Sequence, residues 1–74
     1  MQVYRINTSA WEEEDFYLLT TLTEEQIQSV ITPMVHSERV NDIFYDNDEY
    51  ITELQKRFPN DEVSMYNQFE TLTF

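Results

Sequence analysis

The chain contains no cysteine, no glycine and only one histidine, and its 15 acidic residues far outnumber its four basic ones. Without cysteine there is no disulfide, and the thiolate and imidazole ligands of a structural zinc site cannot be assembled around His36 alone. Without glycine the chain cannot build a P-loop or the glycine fingerprint of a dinucleotide site. A residue at positive φ must then be asparagine, aspartate or a strained residue, and asparagines such as Asn41 and Asn60 are natural candidates.

The net charge of −11 restricts the partners that the protein can have. A phosphate backbone would repel such a chain, so we expect no direct binding of nucleic acid. Anionic membranes are disfavoured for the same reason, and no apolar run approaches the length of a membrane span. The first residues also lack the apolar segment of a signal peptide. We therefore expect a soluble cytoplasmic protein, in the host cytoplasm if a phage encodes it, whose partner is a basic protein surface.

The length of 74 residues indicates one small domain spanning residues 1–74. Its core must come from aliphatic side chains and from five tyrosines, five phenylalanines and one tryptophan. A disordered acidic segment would be poor in aromatic and β-branched residues, so we expect this chain to fold.

Strand patterns occupy both ends of the chain, at residues 2–7, 15–21 and 63–74. The second pattern is apolar on both faces, which predicts a central strand. Two helical patterns lie between the second and third strands. The predicted fold is a single α+β domain of order ββααβ, in which a three-stranded antiparallel sheet carries two short helices on one face. The pattern leaves open whether the last strand lies beside the first or the second.

The first helix has the clearer start signal, since Thr23 and Gln26 have the spacing of a capping box. Pro33 interrupts its apolar stripe and predicts a kink, or less readily an end, near residues 31–32. Residues 37–45 can either extend this helix or form an irregular segment.

The second helix is expected to begin near Asp46 or Asn47, with Glu49 completing a second capping box. Pro59 and Asn60 should end it. Its predicted buried stripe consists of Tyr50, Ile51, Leu54 and Phe58.

The sequence has few of the residue combinations that catalysis needs. His36 is the only imidazole and has neither a cysteine nor a nucleophile-elbow serine to activate, so a surface or capping role is expected. So short a chain also has little room for a deep cleft. The acidic segment from Asp46 begins like an EF-hand loop, but Ile51 and Arg57 stand where that loop needs glycine and glutamate. We therefore predict a non-catalytic protein with no cofactor and no metal site.

The acidic residues near Trp11 and around the second helix start are the predicted partner-binding site. Helix capping explains some of them, but an unbroken acidic run beside Trp11 lies in a connection and caps nothing obvious. Trp11 either covers the core or anchors an interface, and Tyr45 is a second candidate anchor. The predicted partner-binding residues are Trp11, Glu12, Glu13, Glu14, Asp15, Asp46, Asp48, Glu49 and Glu53.

The profile of a short, acidic, cysteine-free and aromatic-rich chain resembles small phage or mobile-element proteins that inhibit host nucleic-acid enzymes. Anti-CRISPR, anti-restriction and other DNA-mimic inhibitors have this composition, and the resemblance implies an inhibitor that occupies a basic nucleic-acid groove. It covers composition alone, so it assigns no residue a role. An antitoxin or immunity protein that neutralises a basic toxin would need an acidic surface of the same kind. A structural module that homodimerises through a sheet edge is a third hypothesis. Acidity that serves only solubility is the alternative to all binding functions.

Overall fold

The computed structural model describes residues 1–8 and 15–66, and these residues form three strands and two helices. The elements are β1 (Gln2–Ile6), β2 (Phe16–Thr20), α1 (Glu24–Asn41), α2 (Asn47–Arg57) and β3 (Val63–Met65). The strands form one antiparallel sheet in the order β1-β2-β3. This confirms the predicted α+β fold of order ββααβ and the central position of β2, and it places the last strand beside the second. The predicted extension of that strand over 67–74 lies outside the described residues.

The sheet buries one face against both helices. Along β2, Phe16, Leu18 and Thr20 are buried, whereas the alternating Tyr17 and Leu19 are half-buried. Residues paired directly across an antiparallel sheet project to the same side. The residues of β1 and β3 that pair with the buried residues of β2 therefore lie on the same face of the sheet. Residues of the two helices complete this core. The buried apolar residues are Phe16, Leu18, Leu22, Ile27, Ile31, Tyr50, Ile51, Leu54 and Val63.

Thr20 joins the end of β2 to the start of β3. Its buried hydroxyl donates a hydrogen bond of 2.6 Å to the Glu62 carbonyl and accepts one of 3.0 Å from the Leu22 N–H. Burying a hydroxyl costs free energy unless it is hydrogen-bonded, and here the Thr20 hydroxyl both donates and accepts a hydrogen bond. The turn that leads from the sheet into α1 is therefore held by a core side chain.

The start of α1 has the predicted capping box. The Gln26 N–H donates to Thr23 Oγ1 over 3.2 Å, and the Thr23 N–H donates to Gln26 Oε1 over 2.9 Å. Leu22 and Ile27, on either side of the cap, are both buried. Two otherwise unpaired helix donors are thus satisfied by the sequence spacing itself.

The helix continues through Pro33 and extends to Asn41, so the alternative of an end near residues 31–32 is wrong, and the kink favoured at this proline stays a prediction. Residues 37–41 extend the helix, and the irregular segment begins only after them. The helix closes at Asp42, which has the left-handed φ of 52° and donates its N–H to the Glu38 carbonyl. An aspartate, rather than the neighbouring Asn41, thus takes the position that glycine usually occupies.

The prediction of a capping box at the start of α2 is wrong, because its side-chain hydrogen bonds do not form. Asp46 is the N-cap and has the extended backbone typical of one, but its side chain makes no capping hydrogen bond. The first turn is closed by the Asp46 carbonyl instead, which accepts the N–H groups of Glu49 at 3.0 Å and Tyr50 at 3.4 Å. The Asp46 carboxylate therefore remains exposed to solvent.

The predicted stripe of α2 is confirmed. Tyr50, Ile51 and Leu54 are buried, and Phe58 packs against the same core where the helix ends. Neither helix of the described residues has the length and apolar character needed to cross a bilayer.

Candidate functional site

The predicted site residues fall into two groups. Trp11, Glu12, Glu13 and Glu14 lie outside the described residues. Asp15, which follows them, forms an ion pair with the Nε of Arg5, and its side chain is only 14% exposed. The hydrogen bond and the charge of this carboxylate raise the pKa of Arg5 above its ordinary value. Asp15 is thus engaged inside the chain rather than displayed as a free surface charge.

The acidic residues of α2 are all exposed. Asp46, Asp48, Glu49 and Glu53 belong to the first two turns of the helix or its cap, and none of them is buried. Glu53 lies 3.4 Å from the Nζ of Lys56, a surface pair of the kind that contributes little to stability. Their charges are therefore available to a partner.

A shallow depression brings three of these acids together. Asp48, Glu49 and Glu53 line an open concavity of about 510 Å³ together with Tyr45 and Lys56. Asp46 precedes it at the helix start. The structure thus groups four of the nine predicted residues on and around one helix face.

The connection between the helices, which leads into the acidic start of α2, exposes apolar side chains. Ile43 is 39% exposed and Phe44 is 46% exposed, and Val40 at the end of α1 is exposed further. Tyr45, the aromatic expected as an anchor, is half-buried and packs edge-on against Tyr50 with ring centroids 6.0 Å apart. The exposed aromatic of the connection is instead its neighbour Phe44. We call the set formed by Val40, Asp42, Ile43, Phe44, Asp46, Asp48, Glu49 and Glu53 the connection surface.

Buried Glu38 holds the connection in place. Its side chain is 2% exposed, and Oε2 accepts the Tyr45 N–H over 3.4 Å, while its own carbonyl accepts the Ile43 N–H over 3.2 Å. The other carboxylate oxygen has no hydrogen-bond partner within residues 1–8 and 15–66. Because glutamate is rarely buried, the sequence offered no signal for this contact. It links the two ends of the segment that presents Phe44.

Aromatic contacts locate the connection surface at one end of the sheet. The Phe16 ring stacks on Tyr50 with centroids 6.2 Å apart, and Tyr50 in turn contacts Tyr45. Phe16 begins β2 and is paired with Ile6, the last residue of β1. The described residues on either side of 9–14 therefore lie at the same end of the domain as the connection surface.

Comparison of the chain with protein-family models, with curated proteins and with solved structures found no match. Within the described ranges, no three histidine, aspartate or glutamate side chains are grouped as a metal site would require. The connection surface thus offers exposed carboxylates and exposed apolar side chains, among them the aromatic ring of Phe44.

Proposed function

We propose that this protein is a non-catalytic binding protein that occupies the basic nucleic-acid groove of a partner enzyme through the connection surface. The observation that carries the proposal is the exposure of Ile43 and Phe44, which lie along the chain between the exposed aspartates Asp42 and Asp46. Acidity that served solubility alone would not need large exposed apolar side chains beside it. An aromatic anchor surrounded by polar residues is the usual arrangement of an energetic interface.

The spacing of the carboxylates supports mimicry of a nucleic-acid strand. From Asp46 to Glu53 the helix advances by about 10.5 Å, since each residue adds about 1.5 Å. With Asp48 and Glu49 between them, four carboxylates divide this length into intervals of about 3.5 Å on average. One strand of duplex DNA carries a negative charge about every 3.4 Å along its axis. The acidic face of α2 therefore has a charge density similar to that of one strand.

The long-range charge supports the same function. A protein of net charge −11 is attracted to a basic groove and repelled by its own copies and by nucleic acid. Such steering accelerates association with the groove and makes it sensitive to salt. Exposed Phe44 would then add an apolar contact that salt does not screen.

Competition with DNA, compared between two charge-matched variants, tests this proposal. Affinity capture from bacterial lysate at low and high salt supplies the candidate partner, which is then purified and titrated with duplex DNA in the presence of the protein. One variant combines Asp48→Lys with Glu53→Lys, and the control combines Glu25→Lys with Glu62→Lys. Each double variant replaces two carboxylates with two lysines and so raises the net charge by four units, from −11 to −7. Each pair has one acid in a helix first turn and one exposed acid elsewhere.

We expect the partner to be a nucleic-acid enzyme that salt releases and that DNA displaces from the protein. The Asp48 and Glu53 double variant should weaken binding by about tenfold or more, while the control stays close to wild type, because specific contacts rather than net charge determine the affinity. Equal losses in the two variants would assign the binding to overall charge and reject the connection surface. Capture of a small basic toxin that DNA does not displace would instead favour the antitoxin function.

A further inference from the structure

A second surface, which the proposed function does not use, lies between β1 and α1. It is an open groove of about 500 Å³, within the range of sizes that ligand sites occupy. Its apolar floor is built from Ile27, Ile31 and Val35 of α1 together with Tyr4 and Ile6 of β1. The two strand residues are only half-buried, whereas their partners on β2, Leu18 and Phe16, are buried. The helical layer thus covers β2 fully and leaves the β1 side of the sheet open.

The groove reaches the free edge of the sheet. Tyr4 and Ile6 project to the helix-covered face, whereas Arg5 between them projects to the opposite face, yet all three line the groove. A groove that touched only the face of β1 would not include residues of both orientations. Among the described residues, β1 pairs with β2 alone. Within residues 1–8 and 15–66, its outer row of backbone N–H and C=O groups has no partner strand and can accept an added one.

The groove also holds a cation in a chain that has few of them. Arg39 and the single histidine, His36, line it near the end of α1, whereas the side chain of Arg5 projects to the opposite face of the sheet. Arg5 is paired with Asp15, but Arg39 has no carboxylate within 4.0 Å in the part of the chain that the structure describes. Glu24 is at the other end of the groove. From Glu24 to Arg39 the helix advances about 22 Å, which matches about seven residues of extended chain.

We propose that this groove binds an extended peptide segment of a partner protein, which adds to β1 as a strand and places an acidic side chain beside Arg39. Alternate apolar side chains of the peptide would contact the floor formed by Ile27, Ile31 and Val35. A second copy of this chain is a poor occupant, because its own β1 carries Arg5 and no acid and because two chains of charge −11 repel each other. The proposal is independent of the function of the connection surface.

Selection from a displayed library of random peptides of about eight residues, a length that spans the groove, tests the proposal on the full chain. We expect an enriched family with alternating apolar residues and an aspartate or glutamate near one end. Its members should bind Arg57→Glu like wild type but bind Arg39→Glu about tenfold more weakly or worse, while Arg39→Lys retains binding, since a surface charge contact is the feature changed. Arg57 lies on α2, outside the groove, and has the same charge as Arg39.

Amide chemical shifts of the bound protein provide the second readout. Peptide binding should move the resonances of Gln2–Ile6 and of the facing turns of α1, and circular dichroism should confirm that each variant is folded. Enrichment of lysine-rich and arginine-rich peptides alone would show that only the acidic surface binds and would overturn the proposal. Equal weakening by Arg39→Glu and Arg57→Glu would also overturn it. Concentration-dependent shifts of β1 without peptide would assign the edge to a second copy instead.

Discussion

The connection surface and the groove beside β1 both expose apolar side chains, but carboxylates flank those of the connection surface, whereas the groove has Arg39 at one end and Glu24 at the other. Phe44 on the connection surface lies between aspartates, whereas the apolar floor of the groove ends at Arg39 and His36. One helix separates the two, since α1 lines the groove along its length and leads into the connection at its end. A net charge of −11 therefore describes only part of this molecule.

The two surfaces differ in how they are held. The connection is fixed by buried Glu38, which bonds the backbone at both of its ends. The groove needs no such contact, because its walls are a regular strand and a regular helix. Sites built on regular elements are positioned accurately by the fold itself, whereas an irregular segment requires dedicated hydrogen bonds. Both depend on the same small core.

The largest expected effect comes from removing that shared core. Leu54→Ala truncates a fully buried side chain of α2 in the core and should cost about 2–5 kcal/mol, a large part of the stability of a domain this small. Leu19→Ala, on the half-buried open face of the sheet, is the matched control and should cost less. Urea denaturation followed by circular dichroism measures both. Loss of binding at one surface with retention at the other in Leu54→Ala would show that the two surfaces do not share a core.

A smaller effect should separate the two neighbouring aromatics of the connection. Tyr45→Ala removes a half-buried ring that contacts Tyr50 and should destabilise the fold by about 1–3 kcal/mol. Phe44→Ala should change stability by no more than about 0.5 kcal/mol, because the side chain is exposed. Its affinity for the partner should nevertheless fall about tenfold, as expected for an aromatic anchor. Unchanged affinity would remove the apolar half of the connection surface from the proposed interface.

The smallest effect distinguishes the two helix starts. Thr23→Ala deletes a side chain that caps α1 and should cost about 1 kcal/mol. Asp46→Ala should cost less than about 0.5 kcal/mol, because the aspartate side chain makes no capping bond. Thermal unfolding of the two variants provides the comparison. Equal costs would mean that the Asp46 carboxylate stabilises α2 after all and is not free for a partner.

Much of the fold was predictable because its signals are local. Apolar residues on both faces of residues 15–21 predicted a central strand, and the spacing of Thr23 and Gln26 predicted the start of α1. The end of α1 was not predictable in the same way. Pro33 suggested an interruption, but the helix is continuous through it. Ile31 before this proline and Glu38 after it are both buried.

Three of the acidic residues predicted to bind a partner, Asp48, Glu49 and Glu53, line one depression, and their role in binding stays a prediction. Tyr45 was predicted as a second anchor, but it is half-buried and its neighbour Phe44 is exposed. Nothing in the pattern of residues 37–45 distinguishes an aromatic that packs inward from one that points outward. The groove beside β1 gave no signal at all, because its two walls come from segments that are far apart along the chain, as Tyr4 and Ile27 illustrate.

The sequence by itself determined the net charge, the alternation of β2, the stripe of α2 and the capping box of α1, because each depends on residues that are neighbours along one element. The tertiary structure decided which strand pairs with β3, which aromatic of the connection stays exposed, and that Arg39 ends an apolar groove rather than joining the acidic face. These outcomes depend on what packs against each residue. The position of Arg39 beside an apolar groove, apart from the acidic start of α2, is therefore set only when the helices pack on the sheet.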